Sequence, residues 1–491
     1  MQTTAYAQCT APAAQAAEIG TDKAKPVYNR LAMMEDPALA AGYLEARLVE
    51  AATLPADLPE SLDEMAGWIA RHTDAVGTAY RDYLAGRKAG APRRYFHTKS
   101  QALYFLKAVA PTKLVDGAWL YGVLQRWDDE DFRPLIRIYL EELGNGVPDK
   151  NHVLIYRKLL AQHGCEQWQD LPDTHFLQGA IQLALAQGAE SFLPELIGYN
   201  LGYEQLPLHL LITSYELNEL GIDPYYFTLH VTVDNAATGH AHTALEGLKQ
   251  IMPRVGDASD FLRRVAAGFR LNDLGVGTVD AIASFDLEAE TVAMLAAKST
   301  VGKNMHSDYC RVAGRTVNDW LSDATQIPLF LEKLEAQGWI RRGEPAENSR
   351  FWKLIQGERA EMFGVFSPYE QQLLQDWIAT PRAGTDQAAT DSPTEAPRVL
   401  SHRAMLRSME TLNSGTSPRS SAPRGLIRHR FPDDEHAWES IGCELRLLEA
   451  RLAATSSKEE AMDLLVGLMS PERHHTSSGL MATRVFSRLY G

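Results

Sequence analysis

The chain has 491 residues, of which 45% are hydrophobic and 23% are charged, and its formal net charge is −15 at pH 7. This length exceeds one ordinary hydrophobic core and predicts two or three domains of a soluble, globular type. The acidic balance argues against nucleic acid or an anionic membrane as a partner.

The sequence offers few indications of where in the cell the protein is found. The four cysteines, Cys9, Cys165, Cys310 and Cys443, are scattered without a C-x-x-C pair, which fits a reducing compartment. No run of about 18 apolar residues predicts a membrane span, and the Ala- and Gln-rich N-terminus lacks the features of a signal peptide. We therefore expect a cytoplasmic protein with a disordered leader at residues 1–36.

Helical periodicity dominates residues 37–300. Within residues 58–88, for example, Met65, Trp68 and Ile69 recur at three- and four-residue steps, which indicates a helix with one buried face. Similar stretches follow one another with short links, and strand signals are almost absent. The region predicts an all-α domain built from many antiparallel helices.

The pattern changes after residue 300. Two short apolar runs, 338–343 and 349–355, flank a polar Gly/Pro turn and suggest a β-hairpin against a helix. We place a small winged-helix-like or packing subdomain at residues 301–380. A basic wing can contact nucleic acid, but in so acidic a chain a role in packing or dimerisation is favoured.

The last quarter of the chain contains a predicted linker and a helical tail. Residues 381–425 are rich in Pro, Ser, Thr, Ala and Gly without periodicity, which predicts disorder. The tail, residues 426–491, contains an amphipathic helical hairpin at about 433–467. The sequence leaves open whether this tail docks on the main domain or on a partner.

One short stretch combines three imidazoles with a carboxylate: His230, Asp234, His240 and His242. His230 and Asp234 are four residues apart, so on a helix they share one face, as metal ligands do in helical bundles. The alternative is a half-buried His230 that is hydrogen-bonded to Asp234.

Further candidate ligands lie on other helices. One predicted helix ends at Glu142 and the next begins at His152, across a break with two glycines and a proline, and a later helix carries Glu204. Three carboxylates and three imidazoles would give each of two metal ions three ligands, an oxygen and nitrogen set that suits iron or manganese. Each residue has an alternative: Glu141 as the ligand, an ordinary first-turn His152, or a Glu204 paired with a surface lysine.

This constellation resembles the heme-oxygenase-like diiron oxidases and oxygenases, whose uncharacterised members are described as iron-containing redox enzymes. The resemblance rests on Glu142-Leu-Gly-Asn-Gly-x5-His152, a distant Glu204 and His230-x3-Asp234, and it covers roughly residues 95–300. It implies a heme-oxygenase-like helical bundle in which these five residues bind two iron ions, with O2 as a co-substrate.

The sixth ligand departs from the family pattern. The last family histidine usually follows the aspartate by three residues, where this chain has Ala237. His240 lies roughly 80° around a regular helix from His230, so it reaches the metal only where the helix is broken, which Gly239 permits. His242, at about 120°, is a weaker candidate. Some members also use a carboxylate about 26 residues before the first glutamate, which here is Asp116.

The resemblance therefore predicts a non-heme diiron enzyme that activates O2 to oxidise a small organic substrate by hydroxylation, N-oxygenation or oxidative C–C cleavage. We expect a homodimer without nucleic-acid or membrane partners. One alternative is an enzyme of the same fold that handles heme or a quinone precursor without a diiron site. Another is a non-catalytic interaction protein acting through its C-terminal region, which deletion of residues 381–491 should inactivate while a catalyst keeps iron binding.

Overall fold

The computed structural model describes residues 20–233, 239–356, 360–382 and 435–490. Within these ranges the regular secondary structure is helical apart from one antiparallel hairpin, in which Arg311 pairs with Thr316 and Val312 with Arg315. None of the described helices is long and apolar enough to cross a membrane. The predicted all-α fold with a small C-terminal hairpin is confirmed.

The helices and strands follow one another in chain order. The helices that precede the hairpin are α1 Ala24–Leu31, α2 Pro37–Ala51, α3 Leu62–Lys88, α4 Lys99–Ala108, α5 Ala110–Lys113, α6 Arg133–Glu142, α7 His152–His163, α8 Leu177–Gly188, α9 Leu193–Tyr203, α10 Leu208–Glu219, α11 Tyr225–Val233, α12 His240–Ile251, α13 Ala258–Arg270, α14 Thr278–Ala283 and α15 Leu287–Gly302. The remaining elements are β1 Arg311–Val312, β2 Arg315–Thr316, α16 Val317–Leu321, α17 Ile327–Ala336, α18 Arg350–Ile355, α19 Pro368–Ala379, α20 Glu435–Ala453, α21 Lys458–Leu468 and α22 Ser477–Tyr490. Short 3-10 helices occupy Ala118–Arg126, Glu130–Phe132, Gly144–Gly146, Pro148–Lys150, Asp173–Phe176, Leu271–Asp273, Ala324–Gln326 and Ala346–Asn348.

Two apolar clusters form the interior of the helical domain. Tyr139 of α6 belongs to one cluster, whereas Tyr156 of α7 and Phe227 of α11 belong to the other. The connection from α6 to α7 therefore passes from one cluster to the other. The burial of large aromatic side chains on both sides fixes the helix ends that this connection joins.

The N-terminal boundary of the ordered chain differs from the prediction. Residues 1–36 are predicted to be a disordered leader, but α1 packs Val27 and Leu31 into the main core. The Asp173 carboxylate accepts hydrogen bonds from the first backbone N–H groups of α1, at Ala24 and Lys25. The prediction is thus wrong for α1, because a four-residue apolar spacing buries one face of this short helix. Residues 1–19 lie outside the described residues.

The hairpin lies elsewhere than predicted. Residues 350–355 form α18 instead of a strand, and the two short strands occur at 311–316. The subdomain has a core of its own, in which Trp320, Trp352 and Trp377 are buried. The two runs predicted as strands are apolar on one side, a pattern that short helical turns satisfy equally well.

The C-terminal helices dock on the helical domain. Buried side chains of α21 and α22, including Met462, Leu465 and Phe486, belong to the same apolar cluster as Leu135 and Tyr139 of the main domain. The sequence left open whether the tail docks on the main domain or on a partner, and in the structure these helices dock on the main domain. The predicted linker at 381–425 falls, except for residues 381 and 382, outside the described residues.

A tight turn before the 3-10 helix at Ala118–Arg126 places Asp116 against the end of α6. Gly117 has a φ of 79°, which is in the left-handed region that favours glycine. A Cβ atom at this position would lie 2.9 Å from the Cβ of Glu142. The turn thus needs glycine for its backbone conformation and for its close contact with α6.

Gly117→Ala should destabilise the protein by about 2 kcal/mol or more, since it combines left-handed strain with a steric overlap. The midpoint of denaturant unfolding measures this loss. Gly77→Ala, inside α3, is the control, because its Cβ would meet only an arginine side-chain nitrogen at 3.6 Å. Equal midpoints for the two variants would contradict the account of the turn.

Candidate metal centre

Most of the predicted ligands lie at helix ends. Glu142 is the last residue of α6, His152 is the first of α7, and His240 is the first of α12. Glu204 directly follows α9, whereas His230 lies within α11. All five side chains are buried, although a helix end is commonly a solvent-exposed position.

A first group of side chains, here called half-site A, consists of Asp116, Glu142, His152 and His230. The Nε2 atom of His230 lies 3.0 Å from Oδ2 of Asp116. The Nδ1 atom of His152 lies 2.5 Å from Oε2 of Glu142 and 3.7 Å from Oδ2 of Asp116. Four ligand atoms therefore face one small volume.

A second group, half-site B, consists of Glu142, Glu204 and His240. The Nδ1 atom of His240 lies 3.0 Å from Oε2 of Glu204 and 3.5 Å from Oε1 of Glu142. Gly239 precedes α12 with an extended backbone at φ −76° and ψ −178°. His240 therefore begins a new helix and is not bound by the angular spacing of a helix continuous with α11.

Glu142 belongs to both half-sites, and in each the ligand atoms lie within 4.8 Å of one another. Its Oε2 atom is paired with Nδ1 of His152, but the buried Nε2 atom of His152 has no hydrogen-bond partner among the described residues. Buried polar atoms of this kind normally have partners. The donor set of carboxylates and imidazoles, together with this unpaired nitrogen, fits iron or manganese.

Asp116 is held by an extended polar network. The hydroxyl of Tyr203 donates to its Oδ1 atom at 3.0 Å, and that of Tyr226 donates to Oδ2 at 2.5 Å. Burial alone raises the pKa of the Asp116 carboxyl, but the charge of Lys113 and the neighbouring imidazoles of His152 and His230 hold it well below its usual range. Asp116 is therefore an anion despite its burial.

Glu142 and His152 shift each other's proton affinity. Burial alone raises the pKa of Glu142, but the neighbouring imidazole of His152 lowers it below its usual value. Burial likewise lowers the pKa of His152, but the charge of Glu142 and the contact with Asp116 raise it to about 10. The pair is thus a Glu142 carboxylate beside a His152 imidazolium. The added proton on His152 supplies the positive charge that a metal cation could supply instead.

Each histidine of the centre other than His152 has a partner that orients its ring. The Nδ1 atom of His230 lies 2.9 Å from the backbone oxygen of Tyr226, so its Nε2 atom faces the site. The Nε2 atom of His240 lies 2.9 Å from Oε2 of Glu141, so its Nδ1 atom faces the site. Such outer contacts fix the tautomer and the direction of a metal-binding imidazole.

The structure brings together most of the residues that the sequence proposed. Glu142, His152, Glu204, His230 and His240 converge, and Asp116, initially a further candidate, lies at the centre of half-site A. His242 is half-buried in the first turn of α12 and belongs to neither half-site. Asp234 lies outside the described residues, so its role stays a prediction.

The supporting residues around the ligands were missed by sequence reasoning. Lys113, Tyr203 and Tyr226 surround Asp116, and Glu141 contacts His240 as an outer partner and not as a member of either half-site. Lys113 stands one helical turn before Asp116, which is the one local signal that the sequence offered. The tyrosines come from distant helices and have no such signal.

Comparison with known proteins finds one family for part of the chain. No curated protein and no solved structure matches the chain. Residues 103–273 match the family described as iron-containing redox enzymes, and this segment contains Asp116 and all the residues of both half-sites. The resemblance predicted from the ligand spacing is confirmed by this match over residues 103–273.

Proposed function

We propose that the protein is a non-heme diiron oxidase or oxygenase that activates O2 to oxidise a small organic substrate. The observation that carries the proposal is the position of Glu142, whose two carboxylate oxygens face two different groups of ligands. A shared carboxylate between two sets of carboxylates and imidazoles is the arrangement of diiron sites in helical bundles. The outcome is proposed to be hydroxylation, N-oxygenation or oxidative C–C cleavage.

The number of buried carboxylates supports this reading over an enzyme of the same fold without a diiron site. Heme or a quinone precursor requires no converging acidic residues. Here Asp116, Glu142 and Glu204 are 1%, 3% and 3% exposed and face the same interior. Burying three carboxylates costs several kcal/mol each unless cations compensate them.

Each ligand has a defined part in the proposed mechanism. Asp116, His152 and His230 would hold one iron ion, Glu204 and His240 would hold the other, and Glu142 would bind both. The two ferrous ions would supply electrons for the reduction of O2. The carboxylates would offset the charge of the bound ions, while Tyr203 and Tyr226 keep the Asp116 oxygens in place through their hydroxyl groups.

The side chains around half-site A are buried. His152, Tyr139, Tyr156 and Tyr226 are at most 1% exposed. A dry interior strengthens electrostatic interactions and protects reactive species from side reactions. We also propose that the substrate is a small molecule and that the protein is a homodimer.

Variants of the two half-sites should bind different numbers of iron ions. The wild-type protein should take up about two ferrous ions per chain in an anaerobic titration. His230→Ala and Glu204→Ala should each lose about one ion, and Glu142→Ala should weaken both, because it removes the shared ligand. Iron per chain is counted after gel filtration, and the visible spectrum is followed after mixing with O2.

Circular dichroism and the thermal unfolding midpoint serve as controls that these variants fold. Full iron retention in both His230→Ala and Glu204→Ala would refute the assignment of the site. One ion in the wild-type protein, or a heme spectrum, would favour the enzyme without a diiron centre.

His240 and His242 provide a matched pair of variants within α12. His240→Ala should lose about one iron ion per chain, because it removes the only described imidazole of half-site B. His242→Ala should keep about two, since its side chain belongs to neither half-site. The iron content per chain of the two variants is the measurement. If His242→Ala lost iron and His240→Ala kept it, the assignment of the ligand at the start of α12 would be wrong.

Iron uptake should depend on pH through His152. With a pKa of about 10, against an ordinary 6.5, its imidazole is protonated at neutral pH and must lose that proton before it binds metal. The affinity of half-site A for Fe(II) should therefore rise with pH, by about tenfold per unit for one displaced proton. Anaerobic titrations at several pH values measure the slope.

The raised pKa of His152 also makes the stability of the metal-free protein depend on pH. Its contribution to the free energy of unfolding is complete below pH 6.5, the pKa of His152 in the unfolded chain, and is lost as the pH rises through about 10. Metal-free protein should lose stability over that window, as measured by urea unfolding. An iron affinity independent of pH would contradict the protonated state of His152.

A further inference from the structure

We propose that the C-terminal helices α21 and α22 and the turn between them are a structural part of the iron centre, with His474 as a positioning residue that holds the loop between Glu142 and His152. The inference rests on the proposed function, because it concerns the same site. It assigns a role to the tail, which contributes no side chain to either half-site within the described residues.

The first observation is a hydrogen-bonded bridge from the tail to the loop. The side-chain amide of Asn151 donates to Nδ1 of His474 at 3.0 Å and to the backbone oxygen of Leu143 at 3.3 Å. Its side-chain oxygen accepts from the backbone N–H of Leu154 at 3.0 Å and so caps α7. Asn151 thus connects the end of α6 with the beginning of α7, and His474 fixes its amide.

The second observation is that the tail contacts the loop and α6 at two more points. The Nε atom of Arg484 donates to the backbone oxygen of Gly146 at 2.9 Å. Gly146 has a φ of 74°, and a Cβ atom there would overlap the carbonyl oxygen of Leu480. The Tyr139 hydroxyl, one turn before Glu142, donates to the backbone oxygen of Met469 at 2.6 Å.

The third observation is that His474 is suited to accept a hydrogen bond. It is 2% exposed, and burial together with the neighbouring His475, Arg157 and His152 lowers its pKa well below the usual value, against a smaller opposing effect of Asp116. A neutral imidazole has one nitrogen that accepts. The Nδ1 atom can therefore accept a hydrogen bond from the Asn151 amide at ordinary pH.

These contacts act on the distance between two ligands. Glu142 and His152 are separated by nine residues, and the tail holds the loop near both ends and at Gly146. Freed from the tail, this loop would sample other conformations, and the two ligands would no longer be preorganised for one metal position. Outer partners of metal ligands typically change metal affinity by about 10- to 100-fold.

The test uses full-length variants of the tail. His474→Leu removes the acceptor for the Asn151 amide, and Arg484→Met removes the hydrogen bond to Gly146. Each should weaken anaerobic Fe(II) binding, by about tenfold or more for His474→Leu. Each should also speed hydrogen exchange of backbone amides at residues 143–152 in the metal-free protein. His474→Gln, which keeps an acceptor, should restore most of the affinity.

His475→Leu is the matched control, because it changes the adjacent, half-buried histidine, for which the structure shows no hydrogen bond to the loop. The amides at residues 94–96 provide a second control, since the Glu216 carboxylate holds them. Neither the iron affinity of His475→Leu nor exchange at 94–96 in any variant should change.

Two failures can be told apart. If the wild-type protein binds no iron, the proposed function fails and this inference falls with it. If the wild-type protein binds iron and both His474→Leu and Arg484→Met bind it as tightly, the inference alone is overturned, whatever the exchange rates show.

Discussion

The main constraint on the structure is the unfavourable free energy of burying three carboxylates in an apolar helical interior. Asp116, Glu142 and Glu204 lie among buried aromatic side chains, where charges of one sign repel each other strongly. The described residues offset part of this charge with His152, whose pKa the carboxylates raise, and with Lys113 beside Asp116. Bound metal cations would offset this charge in place of the His152 proton, and this electrostatic requirement links the fold to the proposed chemistry.

The positions of the candidate ligands at helix ends have a structural consequence. A ligand within a helix moves only with the whole helix, whereas one at an end moves with the adjoining turn. Glu142, His152 and His240 each border a turn or loop. Their relative positions therefore depend on what packs against those turns, which gives residues far away in the sequence influence over the site.

The C-terminal helices are an example of such influence. Their apolar side chains complete the main core, and their polar groups contact the loop that joins α6 and α7. Deletion of residues 381–491 would therefore disturb the loop between α6 and α7 together with the tail. Such a deletion cannot separate a catalyst from an adaptor protein, contrary to what the sequence suggested, and single substitutions are the sharper test.

The sequence by itself determined the helical nature of the chain and the location of the main candidate ligands. The three- and four-residue periodicity predicts the helices, and the two glycines and the proline after Glu142 predict the break before His152. The spacing of Glu142, His152 and His230 also indicated the family, which the match over residues 103–273 confirms. These features are local, so they can be read without knowledge of packing.

Only the tertiary structure decided which of several neighbouring side chains turn inward. Glu141 and Glu142 are adjacent in sequence and about 100° apart on a helix, so packing alone makes Glu142 the buried member. The same holds for His240 against His242, since the start of α12 at His240 sets both directions. The central place of Asp116, the packing of α1 and the docking of the tail likewise depend on contacts between distant residues. Local patterns do not encode such contacts, because burial is a property of the assembled fold.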